Sequence, residues 1–155
     1  RASFRHVVSL FRAEGATNAR WVWSPAGEPG AQAYYPGEDV VDYVGLTVLG
    51  DAEWDWDMGY PTRRSMLDIL RPRYAEVVDL AKPVLLAEVG TSGSPDEQRA
   101  WLAAGLAELR ALDLVRALVY FDDRNAPNNQ RSSQPDWRLP PGGLGLLAGA
   151  PSASE

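Results

Sequence analysis

The chain of 155 residues contains no cysteine, one histidine and two methionines, and each shortage removes a class of chemistry. Without cysteine there is no disulfide, no thiol nucleophile and no thiolate-held metal, although the compartment stays open because many exported proteins also lack it. The single histidine, His6, excludes a histidine-rich metal centre. A Ser–His–Asp triad would rest on it alone, and nothing in the sequence brings a serine to it, so it reads as structural. No run of eighteen apolar residues spans a membrane. No GxGxxG or GxxxxGK loop offers a cradle for phosphates, which removes most support for a nucleotide site. Lysine and arginine total 15 against 21 aspartates and glutamates, a net charge of −6 that argues against a nucleic-acid groove. No cofactor and no metal are expected.

What remains is the profile of one ordinary folded domain, 45% hydrophobic and 23% charged. The opening stretch "RASFRHVVSLFRAEG" spaces Phe4, Val7, Val8, Leu10 and Phe11 as a helix does and stops at Gly15. A helix without a visible start leads us to expect further polypeptide upstream of Arg1. Four strand-like runs follow: "TNARWVWSP" (Thr17 to Pro25), "DYVGLTVLG" (Asp42 to Gly50), "KPVLLAEVG" (Lys82 to Gly90) and "LVRALVYFDD" (Leu114 to Asp123). Two helical patterns separate the later ones. One starts at Thr62 and is broken or kinked at Pro72. The other starts at Ser94, with Ser94 as cap, Pro95 in the first turn and acids beside it, as the helix dipole prefers. Between the first two runs "AGEPGAQAYYPGE" reads as a loop with a short helical turn. The end, "RLPPGGLGLLAGAPSASE", has the composition of a tail or linker, so a domain over residues 1–139 and a tail over 140–155 are expected.

Strands joined by crossover helices form a parallel sheet, here either an open one or half of an eight-stranded barrel. In a barrel, function collects where strands end at the carboxyl face. One such end is peculiar: "KPVLLAEVG" has the apolar density of a strand buried on both faces yet carries a carboxylate, Glu88. A buried charge needs a partner, so Glu88 either caps or pairs with a neighbouring group or emerges into a wet cleft. Aromatic rings and carboxylates near the same strand ends are the furniture of a sugar site, because rings stack on pyranose C–H faces while carboxylates supply acid–base or nucleophilic chemistry.

"RHVVSLFRAEGATNARWVWSP", "YYPGEDVVDYVGL", "KPVLLAEVG", "YFDDRN" and "PDWRL", in that order over residues 4–139, resemble the second half of glycoside hydrolase family 26, the β-mannanase family of (β/α)8 barrels. The likeness implies an α/β fold of parallel (β/α) units, strands five to eight of a TIM-type barrel, incomplete in this chain. It implies a retaining hydrolase of β-linked glycans with Glu88 as nucleophile. It also implies that the acid/base glutamate, carried by the family in a "HEMNG"-like stretch at the end of strand four, lies outside these residues. The partners implied are a polysaccharide or oligosaccharide and the missing amino-terminal half of the barrel, in an extracellular or periplasmic setting. The family's strand-six tyrosine, which hydrogen-bonds the nucleophile, is absent: Thr47 and Leu49 stand there. That departure keeps open a second expectation, a non-hydrolytic glycan-binding or exopolysaccharide-assembly component.

The remaining candidates each carry two readings. Trp23, at a strand end, is either a sugar platform or sheet-to-helix packing, and Trp21 favours packing. Tyr120 corresponds to the aromatic that floors the family's central subsite. Trp54 and Trp56, interleaved with Asp51, Glu53, Asp55 and Asp57, either rim a glycan cleft or pack beneath it. Those acids do not make an EF-hand, since its sixth position holds Trp56 and its twelfth Thr62. Asp122, Asp123, Arg124 and Asn125 either hydrogen-bond sugar hydroxyls or form a solvated turn with Asp–Arg pairs.

Overall fold

Four strands pair side by side into an all-parallel sheet in the order β1 (Val22–Ala26), β2 (Tyr43–Gly50), β3 (Val84–Thr91) and β4 (Val115–Tyr120), the last three rich in valine and leucine. The computed structural model describes residues 1–124 and 135–149. Five helices accompany the sheet among the described residues: α1 (Ala2–Ala13), α2 (Ala52–Asp57), α3 (Met66–Ala75), α4 (Pro95–Leu109) and α5 (Gly143–Leu147). The result is an α/β fold consistent with half of a TIM-type barrel. No helix among the described residues is long and apolar enough to cross a membrane.

The helix starts follow from their caps. Ser94 accepts from the Glu97 amide while Glu97 reaches back to the Ser94 amide, and Ser65 and Asp68 repeat the device at α3. That second capping box explains why α3 begins at Met66 and not at Thr62. The helix runs through Pro72 to Ala75, so the expected break falls one turn later than the proline itself. β1 starts at Val22, later than its pattern suggested, and contains Pro25; as an edge strand it forgoes no ladder bond on its outer side. The loop between β1 and β2 carries short 3-10 turns at Ala31–Tyr34 and Glu38–Val40. In the region read as a tail, residues 143–147 form α5, and Leu146 and Leu147 pack against the core. Residues 150–155 lie outside the described region.

The two faces of the sheet have opposite fates. Val44, Leu46 and Val48 of β2 and Val84, Leu86 and Val89 of β3 are buried beneath Met66, Ile69 and Leu70 of α3 and Trp101, Leu102 and Leu106 of α4. The other face, with Ser24, Thr47, Leu49, Leu85, Ala87 and Val119, is partly or fully exposed and is covered by no helix among the described residues. Gly105 lets α3 and α4 touch, because a Cβ there would stand 2.6 Å from the Met66 Cβ. Alanine in a helix interior ordinarily gains about 1 kcal/mol over glycine. Here overpacking against a backbone-anchored atom outweighs that gain, so Gly105→Ala is expected to destabilise by roughly 1–3 kcal/mol in a denaturant titration. A stabilised variant would contradict this packing.

Candidate functional site

Strand alternation alone would put Glu88 on the same side as Val84 and Leu86, under the helices. It does not lie there. Leu46 pairs with Leu86, but the next residue of β2, Thr47, pairs with Glu88, so Ala87 is an extra residue and β3 bulges. A bulge shifts parity by one and re-aims every later side chain. Val89 therefore returns to the buried face, while Glu88 emerges, exposed, on the uncovered one. There the Thr47 hydroxyl donates to Glu88 Oε2 at 3.2 Å. No ion pair to Glu88 occurs among the described residues. The charge at the end of a buried strand is thus accounted for by one inserted residue.

The same face gathers aromatic surface two residues further on. Gly90 pairs with Leu49, and a Cβ on it would lie 3.1 Å from the Leu49 side chain, 3.3 Å from the Trp137 ring and 3.6 Å from the Phe121 Cβ. Glycine is what lets the Trp137 ring approach the strand beside the Phe121 stem. Phe121 is half-buried, and its amide donates to the Val89 carbonyl at 2.7 Å. Trp137 is only 6% exposed and outside the main core cluster. Sequence reading passed over both. The signal was present in "EVG" beside "YF": a glycine following the acid by two, opposite adjacent aromatics that must face opposite sides.

Of that aromatic pair the sequence reading took Tyr120, which pairs with Val89 and so lies on the helix-packed face, away from Glu88. Its hydroxyl is buried, and burial pushes the phenol pKa up against the opposing pull of the Thr91 backbone and Arg63. Trp23 pairs with Val44 and is also on the packed side, 8% exposed, its ring edge-on to Tyr35 at 5.2 Å. Trp21 takes the packing role expected of it, edge-on to Phe11 at 5.0 Å and Phe4 at 6.1 Å.

Trp54 and Trp56 sit on α2, directly after the carboxyl end of β2, 38% and 74% exposed. Two apart on a helix, they point to different sides and cannot form one flat platform. Two of the neighbouring acids, Asp51 and Asp55, build structure. Asp51 caps α2 by accepting from the Glu53 amide at 3.1 Å and also receives the Ser92 hydroxyl. Asp55, 1% exposed, is bound by the Arg64 amide at 2.8 Å and guanidinium at 2.7 Å, and that guanidinium lies over the Tyr60 ring at 4.4 Å. Asp122 Oδ1 accepts from the Leu139 amide at 2.7 Å, and Arg124 forms a backbone bridge to Asp136. Both fasten the segment bearing Trp137. Arg138, hydrogen-bonded to Asp136, lowers that carboxyl's pKa to about 2. Asn125 lies outside the described residues.

Behind the uncovered face the carboxyl ends of β2 and β3 are tied together. Arg63 donates to the Gly50 carbonyl at 3.1 Å, the Ser92 carbonyl at 2.6 Å and the Thr91 hydroxyl, while Gln98 donates to the Thr91 carbonyl at 2.7 Å. Burial lowers the Arg63 pKa, with Glu97 and Asp51 opposing. This clasp makes the strand ends that bear Glu88 and Gly90 a rigid support.

Two known proteins align with the chain. One is "Endoglucanase H" of Acetivibrio thermocellus, 26% identical over 145 residues, covering 89% of this chain and 15% of the relative. The other is "Beta-1,3-xylanase TXYA" of a Vibrio species, 41% identical over 61 residues, covering 36% of this chain and 13% of the relative. Both are named as glycan hydrolases. A glycoside-hydrolase-type relationship is therefore supported at a coarse level, and the chain spans less than a sixth of either relative's length. No family model matches the sequence.

Proposed function

We propose that the chain is the carboxyl-terminal half of the catalytic barrel of a retaining β-glycan hydrolase resembling glycoside hydrolase family 26, with Glu88 as nucleophile. The observation that carries this is the bulge at Ala87, which takes an acid out of the core and presents it on the uncovered face at the carboxyl end of the sheet. Strands at sheet positions like these meet substrate at their carboxyl ends, and bulges there re-aim functional side chains. In the reaction, a Glu88 oxygen attacks the anomeric carbon and the glycosidic C–O bond breaks. The departing oxygen takes a proton from an acid/base supplied by residues outside this chain, and water then hydrolyses the glycosyl ester. Phe121, backed by Trp137, is the ring placed to floor the sugar, while Trp54 and Trp56 flank the cleft mouth as separate contacts. Arg124 contacts outer hydroxyls, and Asp122 serves the fold through Leu139.

The test is chemical labelling of the full-length polypeptide with a 2-deoxy-2-fluoro β-glycoside bearing an activated leaving group. Such a leaving group needs little proton donation, so the experiment isolates the nucleophile. Mass mapping is expected to find the sugar on Glu88. A label on Asp122 would move the nucleophile to β4. Oligosaccharide binding with no label at all would favour the binding-protein reading that the missing strand-six tyrosine keeps alive.

A further inference from the structure

A carboxylate that attacks a sugar must be held at one angle, and Glu88 is exposed on a strand whose ladder is interrupted beside it. What holds it can be traced backwards. Glu88 Oε2 accepts the Thr47 hydroxyl at 3.2 Å. Thr47 stands on β2 at the position where the Leu46–Leu86 register slips, and β1 stops at Ala26, opposite Leu46. From Thr47 onwards, then, β2 has no β1 partner on that edge. The Arg73 guanidinium, reaching from α3, donates to the Thr47 carbonyl in the place a neighbouring strand would occupy.

Arg73 is itself seated. Its stem passes Gly27, where a Cβ would fall 2.4 Å from the Arg73 Cβ; Gly27 also adopts a φ of 86°, which side chains disfavour. The Arg73 guanidinium lies 3.7 Å from Glu28, and Thr47 O is the other acceptor it meets. Burial lowers its pKa while Glu28 opposes, so the cation is held in a half-buried slot. Arginine at a half-buried site facing one carbonyl and one carboxylate suits a planar fork of fixed donors better than it suits a lysine.

We infer that Arg73 is a positioning residue for Glu88, acting through Thr47, whose peptide it fixes and whose hydroxyl aims the carboxylate. This rests on the proposed role of Glu88 and adds the element that takes over from the absent strand-six phenol. Arg73 lies on the packed side of the sheet and touches no substrate. Its effect travels through one peptide group.

Three variants of the full-length polypeptide test it: Arg73→Met, which keeps the stem; Thr47→Val, which keeps the shape; and Thr47→Ser, which keeps the hydroxyl. The readouts are the rate of Glu88 labelling by the fluoroglycoside, the Kd of an unreactive oligosaccharide, and the Glu88 side-chain conformation in crystals. Losing a hydrogen bond to a charged group corresponds to roughly a tenfold to hundredfold change. Thr47→Val and Arg73→Met are each expected to slow labelling by about that factor with oligosaccharide Kd unchanged, and Thr47→Ser to restore it. Crystals of Arg73→Met are expected to show Glu88 turned away from Thr47. A merely structural Arg73 would weaken labelling and binding together, or neither, and would leave Glu88 in place; that pattern overturns the proposal. Should Arg73→Met fail to fold, Thr47→Val against Thr47→Ser decides the hydroxyl step and Gly27→Ala, which displaces Arg73, decides the arginine step. Wild-type protein that is never labelled at Glu88 rejects the hydrolase reading instead, and the crystal arm still decides whether Arg73 holds the carboxylate.

Discussion

On the proposed role of Glu88 as nucleophile, its replacement by alanine in the full-length polypeptide is expected to lower hydrolysis by roughly four orders of magnitude or more, as removal of a covalent nucleophile does elsewhere. Binding of an oligosaccharide should survive, because ring stacking and hydroxyl contacts do not pass through that carboxylate. Glu88 is exposed and its contact among the described residues is the Thr47 hydroxyl, so the fold loses little: the thermal midpoint should stay within the range of an ordinary surface change. The space left by the carboxylate admits a small anion. Azide is therefore expected to restore turnover of an activated aryl glycoside and to give a product of inverted configuration, since one displacement replaces two. Full hydrolysis by the alanine variant, without added azide, would remove Glu88 from the chemistry.

The second large effect is on stability. Asp55→Ala should destabilise the chain by about 2–4 kcal/mol, among the heaviest single losses available to it. Asp55 is 1% exposed and accepts from both the amide and the side chain of Arg64. Arg64 in turn presents its carbonyl to the Trp101 indole at 2.9 Å, so the carboxylate secures the connection from α2 to α3 and, through it, the seat of α4. Removal leaves Arg64 without its carboxylate. Its side chain is 21% exposed and regains some water, which keeps the cost below that of a fully entombed pair. A neighbouring control, Asp57→Ala, sits on the exposed side of α2 and should cost no more than about 0.5 kcal/mol. Chemical denaturation of both variants checks the contrast, and equal losses would deny Asp55 its special place.

The acidic stretch around Asp55 shows why some of this was legible in sequence and some was not. Alternating acids and tryptophans signalled a distinctive segment after β2, and the structure puts a short helix there with Trp54 and Trp56 in contact with solvent. The spacing could not reveal that Asp51 and Asp55 face inward as cap and ion-pair partner, because their partners Ser92 and Arg64 come from later in the chain. Periodicity located all four strands and both crossover helices, since each is a local pattern. Strand parity was another matter. The family resemblance points to Tyr120 as the ring that floors the subsite, but Tyr120 and Phe121 are adjacent, and which of them shares a side with Glu88 depends on register against β3. Trp23 likewise follows Val44 to the packed side. Bulges are pairing events between strands and leave no mark in a single strand's composition.

The extra residue in β3 also bears on how sequences of this kind should be aligned. Two chains with the same run of letters around the acid, one lacking a single residue before it, would match column for column except for one gap. In one of them the glutamate would meet solvent; in the other it would fall on the side of Val84 and Leu86, beneath the helices, where an unpaired charge is costly. A gap of one at Ala87 is therefore worth more than any single identity in the strand when deciding which distant cousins of this chain have kept the acid on the open face and which have only kept the scaffold.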